Sequence, residues 1–321
     1  MGWISTDLIM AARSIPAKGT ARFSYYSALI LLLLAEVAIK AAAPTVATML
    51  GHHITEPRID QGDTAMSRFD NYATQYSSIH MRRENGILEM RFHTDDGPLR
   101  WGLVPHGELP DAFAAVAGDR DNRVVILTGT GDEFSGIRAT PGTRSLAQGL
   151  TANAYDRVHW EGRALLMNLL SIEVPVIAAI NGPAWRHSEI PLLSDIVLAS
   201  DTAAFQDSAH FPSGMVPGDG MHVVMPMLLG MNRGRYYLLT GQTLSAQEAK
   251  ELGLVAEVLP QQKVLGRAWE HAQALTQKPT LLLRYTRLMF TEYIKRHMQD
   301  LLGYGLAMEG LALMETLEPP K

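Results

Sequence analysis

An imidazole and a carboxylate lie close together in a loop-like segment of the second half of the chain. The segment DSAHFPSGMVPGDGMHVVMP, residues 207–226, places His210 and Asp219 nine residues apart. Proline and glycine are frequent between them, which favours a loop over a helix. A carboxylate beside a histidine can set the tautomer of the ring and stabilise its protonated form. The pair is therefore a candidate proton-transfer site, although the spacing alone equally describes a half-buried loop histidine with ordinary hydrogen bonds.

Such a loop needs a scaffold, and the chain from residue 78 onward alternates between strand-like and helix-like segments. Short runs of β-branched and apolar residues indicate strands at residues 87–94, 123–130, 174–182, 195–200 and 202–207. Helical periodicity is present at residues 108–119 and 155–172, and after Pro279 as long helices interrupted around the GYG at residues 303–305. This order predicts an α/β fold whose strands are joined by right-handed crossovers.

Composition narrows the range of functions. The 321 residues are 47% hydrophobic and carry a net charge of −5, with no long run of lysine or arginine. Nucleic acid is therefore not an expected partner, because phosphate binding needs clustered basic charge. The absence of cysteine excludes disulfides, thiolate metal sites and a cysteine nucleophile. Signatures of dinucleotide-binding loops, serine hydrolase elbows and zinc proteases are also missing; Phe134 stands where the third glycine of a dinucleotide fingerprint would be.

The N-terminal 65 residues differ from the rest of the chain. An uncharged apolar run follows Arg22 and ends near Glu36, which is short for a membrane span of roughly 20 residues. The leader is open to three interpretations: an upstream extension without consequence for folding, a signal or anchor, or an ordered helix. We expect a leader at 1–65, a core at 66–265 and a C-terminal helical region at 266–321. The expected location is cytoplasmic if the leader is not a functional signal.

One segment carries a family resemblance. VPVIAAINGPAWRHSEIPLLSDIVLAS, residues 174–200, resembles the crotonase (enoyl-CoA hydratase) superfamily segment P-V-I-A-A-x-N-G-x-A-x-G-G-G-x-E-L-x-x-x-C-D, and Glu189 and Asp195 match its acidic positions. Arg186, His187 and Ser188 replace the triple glycine, whose helix helps to hold a thioester oxyanion in the superfamily. This replacement argues against a CoA thioester as the substrate.

The departures from the superfamily pattern resemble one branch, the β-diketone hydrolases typified by 6-oxocamphor hydrolase. Matching stretches include NRVVILTGTG at 122–131, HSEIPLLSDIVLA at 187–199 and NRGRYYLLTGQ at 232–242, and the resemblance covers about residues 72–314. It implies a crotonase-like ββα spiral core with a C-terminal helical trimerisation region, assembled as a homotrimer or a dimer of trimers. It also implies six active-site residues: Trp101, His106, His187, His210, Asp219 and Glu309.

The implied activity is that of a C–C bond hydrolase acting on a small-molecule diketone by a retro-Claisen reaction. Water adds to one carbonyl of a cyclic or bicyclic β-diketone, and the bond between the carbonyls breaks to give a keto acid. His210, oriented by Asp219, is expected to be the base for the water. Trp101 and His187 are expected to donate hydrogen bonds to the carbonyl oxygen that becomes negative. The alternative for Trp101 is an aromatic side chain that only packs.

The leaving carbon needs a proton, for which the resemblance implies Glu309 with His106 as its partner. The alternatives place Glu309 at a solvent-facing helix edge or against an arginine across a subunit contact. No cofactor is expected, because the second carbonyl already accepts the electron pair. His187, His210 and Asp219 are suitable metal ligands by type, but no spacing signature supports a metal site.

Two other functions compete with this hypothesis. One is an enoyl-CoA hydratase or isomerase acting on a CoA thioester, and the other is a non-catalytic scaffold that binds a partner. The sequence predicts that apolar residues around Leu99, residues 134–138 and Trp160 shape the pocket.

Overall fold

The computed structural model describes residues 68–140 and 150–317, the last two of these by their backbone alone. The predicted leader lies outside the described residues. Eight strands and eight helices are assigned within the described ranges: β1 (Ile79–Glu84), β2 (Ile87–Phe92), α1 (Leu103–Gly118), β3 (Val124–Gly129), α2 (Ala152–Leu170), β4 (Val176–Ile180), α3 (Glu189–Leu192), β5 (Ile196–Ser200), β6 (Ala204–Phe205), α4 (Met221–Leu229), α5 (Met231–Thr240), β7 (Leu244–Ser245), α6 (Ala246–Glu251), β8 (Glu257–Leu259), α7 (Gln261–Thr276) and α8 (Thr280–Leu313). Across that portion of the chain, every helix is too short or too polar to span a membrane.

Six strands form the main sheet in the order β1-β2-β3-β4-β5-β8. β1 and β2 are an antiparallel hairpin, and each later neighbour pairs in parallel. Asn85 and Gly86 make the hairpin turn with φ values of 51° and 79°. An Asn-Gly pair suits this turn, because both central residues need positive φ. The α/β expectation is confirmed, with one antiparallel strand at the sheet edge.

The two faces of the sheet are covered by different helices. Alternate residues of β3 and β4, such as Val125 and Ala178, face the larger core together with residues of α1 and α2. Their neighbours Val124 and Ile177 face a second core against α7. The period of two along each strand and the i, i+4, i+8 spacing on α7 produce these layers; the α7 contacts are Val264, Ala268 and Ala272.

Helix α8 runs without a break for 34 residues, about 51 Å. The predicted interruption at residues 303–305 is wrong. Gly305 lies inside the helix and makes a close approach possible: a Cβ there would stand 2.4 Å from the carbonyl oxygen of Gly218, and one on Gly218 would stand 2.2 Å from that of Gly305. The glycines therefore allow α8 to touch the loop that carries Asp219, and Glu309 lies one helical turn further on.

The other end of α8 is held by a buried arginine. Arg287 donates from Nε to the carbonyl oxygen of Ile172 at 2.6 Å and forms an ion pair with Asp195. The same carboxylate accepts the backbone N–H of Val176 at 2.7 Å. The Arg287–Asp195 contact connects α8 to the beginnings of β4 and β5. Asp195, which matches an acidic position of the superfamily segment, therefore has a structural role.

Candidate active site

All six residues predicted from the sequence line a single pocket of about 60 Å³. Each of the six side chains is at least nine-tenths buried. They come from segments that follow β2, β4 and β6, and from α8. The rest of the lining is mostly apolar, with one arginine: Gly102, Leu103, Leu150, Val158, Arg186, Ala209 and Leu306.

His210 lies between two carboxylates. Its Nδ1 is 2.6 Å from Oδ1 of Asp207, and its Nε2 is 3.2 Å from Oδ2 of Asp219. Burial by itself lowers the pKa of His210, but the negative charges of Asp207 and Asp219 outweigh it and raise the pKa well above 6.5. The two carboxylates therefore favour the protonated form of the ring. The charge on His210 in turn holds the pKa of Asp219 below its usual range, against the effect of burial.

The carboxylate behind His210 is Asp207, and the sequence-based expectation that Asp219 takes this place is corrected by the geometry. Asp219 contacts the opposite nitrogen, on the side where the pocket opens. The signal in the sequence is the D-x-x-H spacing, and a tight turn, Phe211–Ser213, follows the histidine. The backbone N–H groups of Ser213 and Met215 both donate to the carbonyl oxygen of His210 and hold this turn.

His187 occupies one of the positions at which the superfamily segment has glycine, and its φ is 50°. This left-handed conformation costs a residue with a side chain about 1–2 kcal/mol. The ring stacks on Trp101 with centroids 3.8 Å apart. Its Nδ1 is 2.7 Å from Oε1 of Glu189 and 3.3 Å from Oδ2 of Asp219. The backbone strain at His187 thus occurs where its side chain is positioned over the pocket.

Burial favours the neutral forms of both His187 and Glu189. Burial lowers the pKa of His187 to about 4, although the Asp219 charge acts in the other direction. Glu189 is fully buried, and burial followed by the Asp219 charge raises the pKa of its carboxyl well above 4.5. Glu189 is a site residue to which the sequence assigned no role, although it matches the superfamily segment.

Glu309 points into the pocket, so the alternative that it faces solvent is wrong. Its Oε2 lies 3.9 Å from Nε2 of His210. Burial raises the pKa of Glu309 to about 8, and the positive charge on His210 opposes this rise. Within the described residues, neither Oε2 of Glu309 nor Oδ1 of Asp219 has a hydrogen-bond partner. Glu309 is therefore a second buried acid besides Glu189, and Oδ1 of Asp219 is an acceptor without a partner in the described part of the chain.

His106 has a different partner from the one expected. Its Nδ1 is 2.8 Å from Oε2 of Glu161, whose other oxygen accepts a hydrogen bond from Nε of Arg157 at 2.7 Å. The expected pairing with Glu309 is not the one observed. Glu161 is 55 positions away in the sequence, and no local pattern marks it.

The apolar wall also differs from the expectation. Leu99 and Phe134 belong to the main core, and the side chain of Trp160 is 63% exposed. Trp160 instead lines a neighbouring groove of about 810 Å³, which shares Leu103 and Val158 with the pocket. The groove is thus continuous with the candidate active site.

Two clusters among the described residues have ligand atoms close enough for a metal ion. In the pocket these are His187, Glu189 and Asp219, where the His187–Glu189 hydrogen bond would have to break and Glu189 would have to lose its proton. The second cluster consists of His80, His93 and Asp96, away from the pocket lining. Neither cluster includes His210.

Comparison with known proteins defines the family. The enoyl-CoA hydratase/isomerase family model matches residues 83–312, so the chain belongs to this family. A probable enoyl-CoA hydratase of Mycobacterium tuberculosis is 34% identical over 169 residues, which are 51% of this chain and 58% of that relative. The chain thus spans little more than half the length of that relative. A carnitinyl-CoA dehydratase of Citrobacter koseri is 31% identical over 209 residues, 64% of this chain and 77% of that protein.

A solved structure points to a branch within the family. It is a β-diketone hydrolase from the cyanobacterium Anabaena sp. PCC 7120, bound to (S)-3-oxocyclohexyl acetic acid. That protein is 47% identical to this chain, with a TM-score of 0.73, covering 78% of this chain and 98% of its own. The resemblance inferred from the sequence is therefore confirmed at the level of both the superfamily and the branch.

Proposed function

We propose that the protein hydrolyses the C–C bond between the two carbonyl groups of a cyclic β-diketone and releases a keto acid, without a cofactor. The observation that carries this proposal is the Asp207–His210–Asp219 array, which faces a buried acid, Glu309, inside a mostly apolar pocket. A neutral diketone suits the apolar lining, and the polar groups match the proton transfers that the reaction needs.

The first step is the activation of water. Oδ1 of Asp219 is a free acceptor within the described residues, and it can hold the water beside Nε2 of His210. The neutral form of His210 takes a proton from the water, and the hydroxide adds to one carbonyl carbon. Asp207 stabilises the imidazolium that results, because its Oδ1 accepts the hydrogen bond from Nδ1.

The second requirement is a donor for the oxygen of the attacked carbonyl. His187 meets it when Nε2 carries the proton. We assign this tautomer to the hydrogen bond at Nδ1, where the protonated carboxyl of Glu189 donates to the ring nitrogen. Trp101 stacks on His187 and supplies an indole N–H that only donates. Each such donor is worth about 3 kcal/mol of transition-state stabilisation.

The third step breaks the C–C bond. Its electron pair moves to the carbon between the carbonyls and is delocalised onto the second carbonyl oxygen as an enolate. Glu309 is protonated at neutral pH, since its pKa is about 8, and it donates its proton to that carbon. The acid formed at the attacked carbonyl of the same molecule ionises, and the proton taken by His210 returns to Glu309, either through the solvent or directly across the 3.9 Å between the two side chains.

The experiment is turnover by the purified full chain. We expect hydrolysis of the bicyclic diketone obtained by closing (S)-3-oxocyclohexyl acetic acid, or of a monocyclic 1,3-diketone, with loss of ultraviolet absorbance and appearance of a keto acid. His210→Ala is the matched control and should abolish this loss. An intact, folded chain that leaves every diketone of such a panel unchanged refutes the proposal.

A second candidate function is hydration of a CoA thioester. Glu189 matches the acidic position of the superfamily segment and is buried beside the pocket, and the relatives from Mycobacterium and Citrobacter are named for CoA substrates. Crotonyl-CoA belongs in the same assay for this reason. Turnover of crotonyl-CoA alone would replace the first proposal with the second, and turnover of neither substrate class favours a scaffold.

A further inference from the structure

Arg186 lines the pocket but has no part in the steps above. The side chain is 5% exposed, and its Nε donates to the carbonyl oxygen of Ile137 at 2.9 Å. Within residues 68–140 and 150–317, this is the single hydrogen bond that the guanidinium makes. The two terminal amino groups, with four N–H donors, make no hydrogen bond in these ranges, and the residue to which they belong lines the pocket.

No acidic side chain among the described residues forms an ion pair with these donors. Asp207 and Asp219 are the acidic groups whose charges act on Arg186. Both make their closest contacts with the histidines: Asp207 with Nδ1 of His210, and Asp219 with Nε2 of His210 and Nδ1 of His187. Neither forms an ion pair with the guanidinium, although buried arginines usually use their planar fork on a carboxylate.

The proposed reaction supplies the missing carboxylate, and the inference rests on that function. A neutral diketone enters, water adds to one carbonyl, and the C–C bond between the carbonyls breaks. The attacked carbonyl becomes a carboxylic acid, which loses its proton at neutral pH. The pocket must then hold a new anion close to two aspartates. Arginine is suited to this because it keeps its charge and can form two parallel N–H···O bonds with a carboxylate.

We propose that Arg186 binds the carboxylate of the keto acid product through its two terminal amino groups. Arg186 then distinguishes substrates by the position of the carbonyl that becomes the acid. Binding of an acid should therefore depend on Arg186, and binding of the corresponding neutral ester should not.

The test compares two probes on the full chain by calorimetry: (S)-3-oxocyclohexyl acetic acid and its methyl ester. Arg186→Met keeps most of the side-chain volume and removes the charge, and Arg186→Lys keeps the charge and removes the fork. Arg138→Met is the matched control, because Arg138 is exposed and stacks on Trp185, 4.9 Å from the ring centroid, outside the pocket lining.

We expect Arg186→Met to weaken binding of the acid by about 10-fold or more and binding of the ester by less than about twofold. Arg186→Lys should lie between wild type and Arg186→Met, and Arg138→Met should match wild type. Unchanged ester binding also reports that the Arg186→Met pocket is intact. Equal losses for acid and ester, or no preference for the acid in wild type, overturn the proposal.

The same proteins separate this inference from the proposed function. Diketone turnover together with unchanged acid binding in Arg186→Met refutes the role of Arg186 and leaves the hydrolase function standing. Acid binding that depends on Arg186, in a chain that turns over no diketone, refutes the hydrolase function and supports a carboxylate site.

Discussion

At the scale of single residues, the chemistry depends on which carboxylate touches which nitrogen. Asp207 takes Nδ1 of His210, and Asp219 bridges Nε2 of His210 and Nδ1 of His187. Asp219 therefore couples the residue proposed to activate water with the residue proposed to hold the carbonyl oxygen. Asp207 has the positioning role that the third member of a catalytic triad has.

Asp207→Asn should slow diketone turnover by at least ~100-fold, because an amide cannot stabilise the imidazolium and favours the wrong tautomer; the corresponding change in a serine protease costs about 10⁴ in kcat. Asp219→Asn and His210→Ala should be similarly severe. The double variant Asp207→Asn/His210→Ala should be scarcely slower than either single one, since residues that act as a unit are not additive. Steady-state kinetics measure this, with the exposed Asp201→Asn as a control. Multiplicative losses would mean that the residues serve separate steps.

The pH profile of kcat/KM gives a second prediction. His210 must lose its proton to act as a base, and its pKa lies above 6.5, so activity should rise with pH through that raised value. Glu309 must keep its proton, and its pKa is about 8, so activity should fall as pH rises through about 8. The expected pH profile is bell-shaped, and its optimum lies at a higher pH than the ordinary pKa of histidine.

Two variants identify which residue is responsible for each limb of this pH profile. Asp207→Asn removes a charge that raises the pKa of His210, so the acidic limb should move to lower pH. Glu309→Gln should remove the alkaline limb as well as most of the activity. An acidic limb that does not move in Asp207→Asn would show that His210 is not the group that titrates there.

At the scale of elements, the contact between Gly218 and Gly305 positions α8 against the catalytic loop. A side chain at Gly305 would meet the backbone of Gly218 and the ring of His222 at less than 3.0 Å. Since Glu309 is one turn along the same helix, a displacement of α8 at this point also displaces the proposed acid from His210.

Gly305→Ala should lower the free energy of unfolding by about 1–3 kcal/mol through overpacking, and it should lower kcat more than it raises KM. Gly266→Ala is the matched control: Gly266 is exposed in α7, and a Cβ there meets nothing within 4 Å. This control should raise stability by about 0.5–1 kcal/mol, because alanine is the better helix former. Urea denaturation and steady-state kinetics measure both variants. A Gly305→Ala protein as stable and active as Gly266→Ala would remove the proposed role of the close contact.

At the scale of the whole molecule, α8 presents apolar side chains that the described chain does not cover. Six of them lie in its first half and are each more than half exposed: Leu281, Leu282, Tyr285, Met289, Phe290 and Tyr293. An apolar face of this kind usually marks an interface. It motivates the homotrimer, or dimer of trimers, expected from the sequence.

Light scattering should therefore give a mass of about 106 kDa for three chains of 35.3 kDa, or twice that value. Phe290→Glu should dissociate the assembly, because a charge in an apolar interface is costly to bury. His297→Glu, further along the same helix, is a comparison at a position of intermediate exposure. A wild-type chain that is monomeric at micromolar concentration would contradict the expected assembly.

Much of the fold could be read from the sequence by itself. Strands β2 to β6 and helices α1, α2 and α8 followed from local periodicity, and the family and branch from the residues that replace the triple glycine. The six pocket residues came from the same resemblance, and the structure places all of them around one cavity. These properties depend on residue types and short-range spacing, which a sequence displays directly.

The tertiary structure alone decided how these residues are paired and charged. The neighbour of His106 is 55 positions away, and α8 reaches the loop of His210 through a glycine contact between distant segments. Burial favours the neutral forms of Glu189, Glu309 and His187, whereas the charges of Asp207 and Asp219 favour the protonated form of His210. Burial and distances between segments far apart in sequence are products of packing. Only the folded chain therefore determines which residue holds each proton.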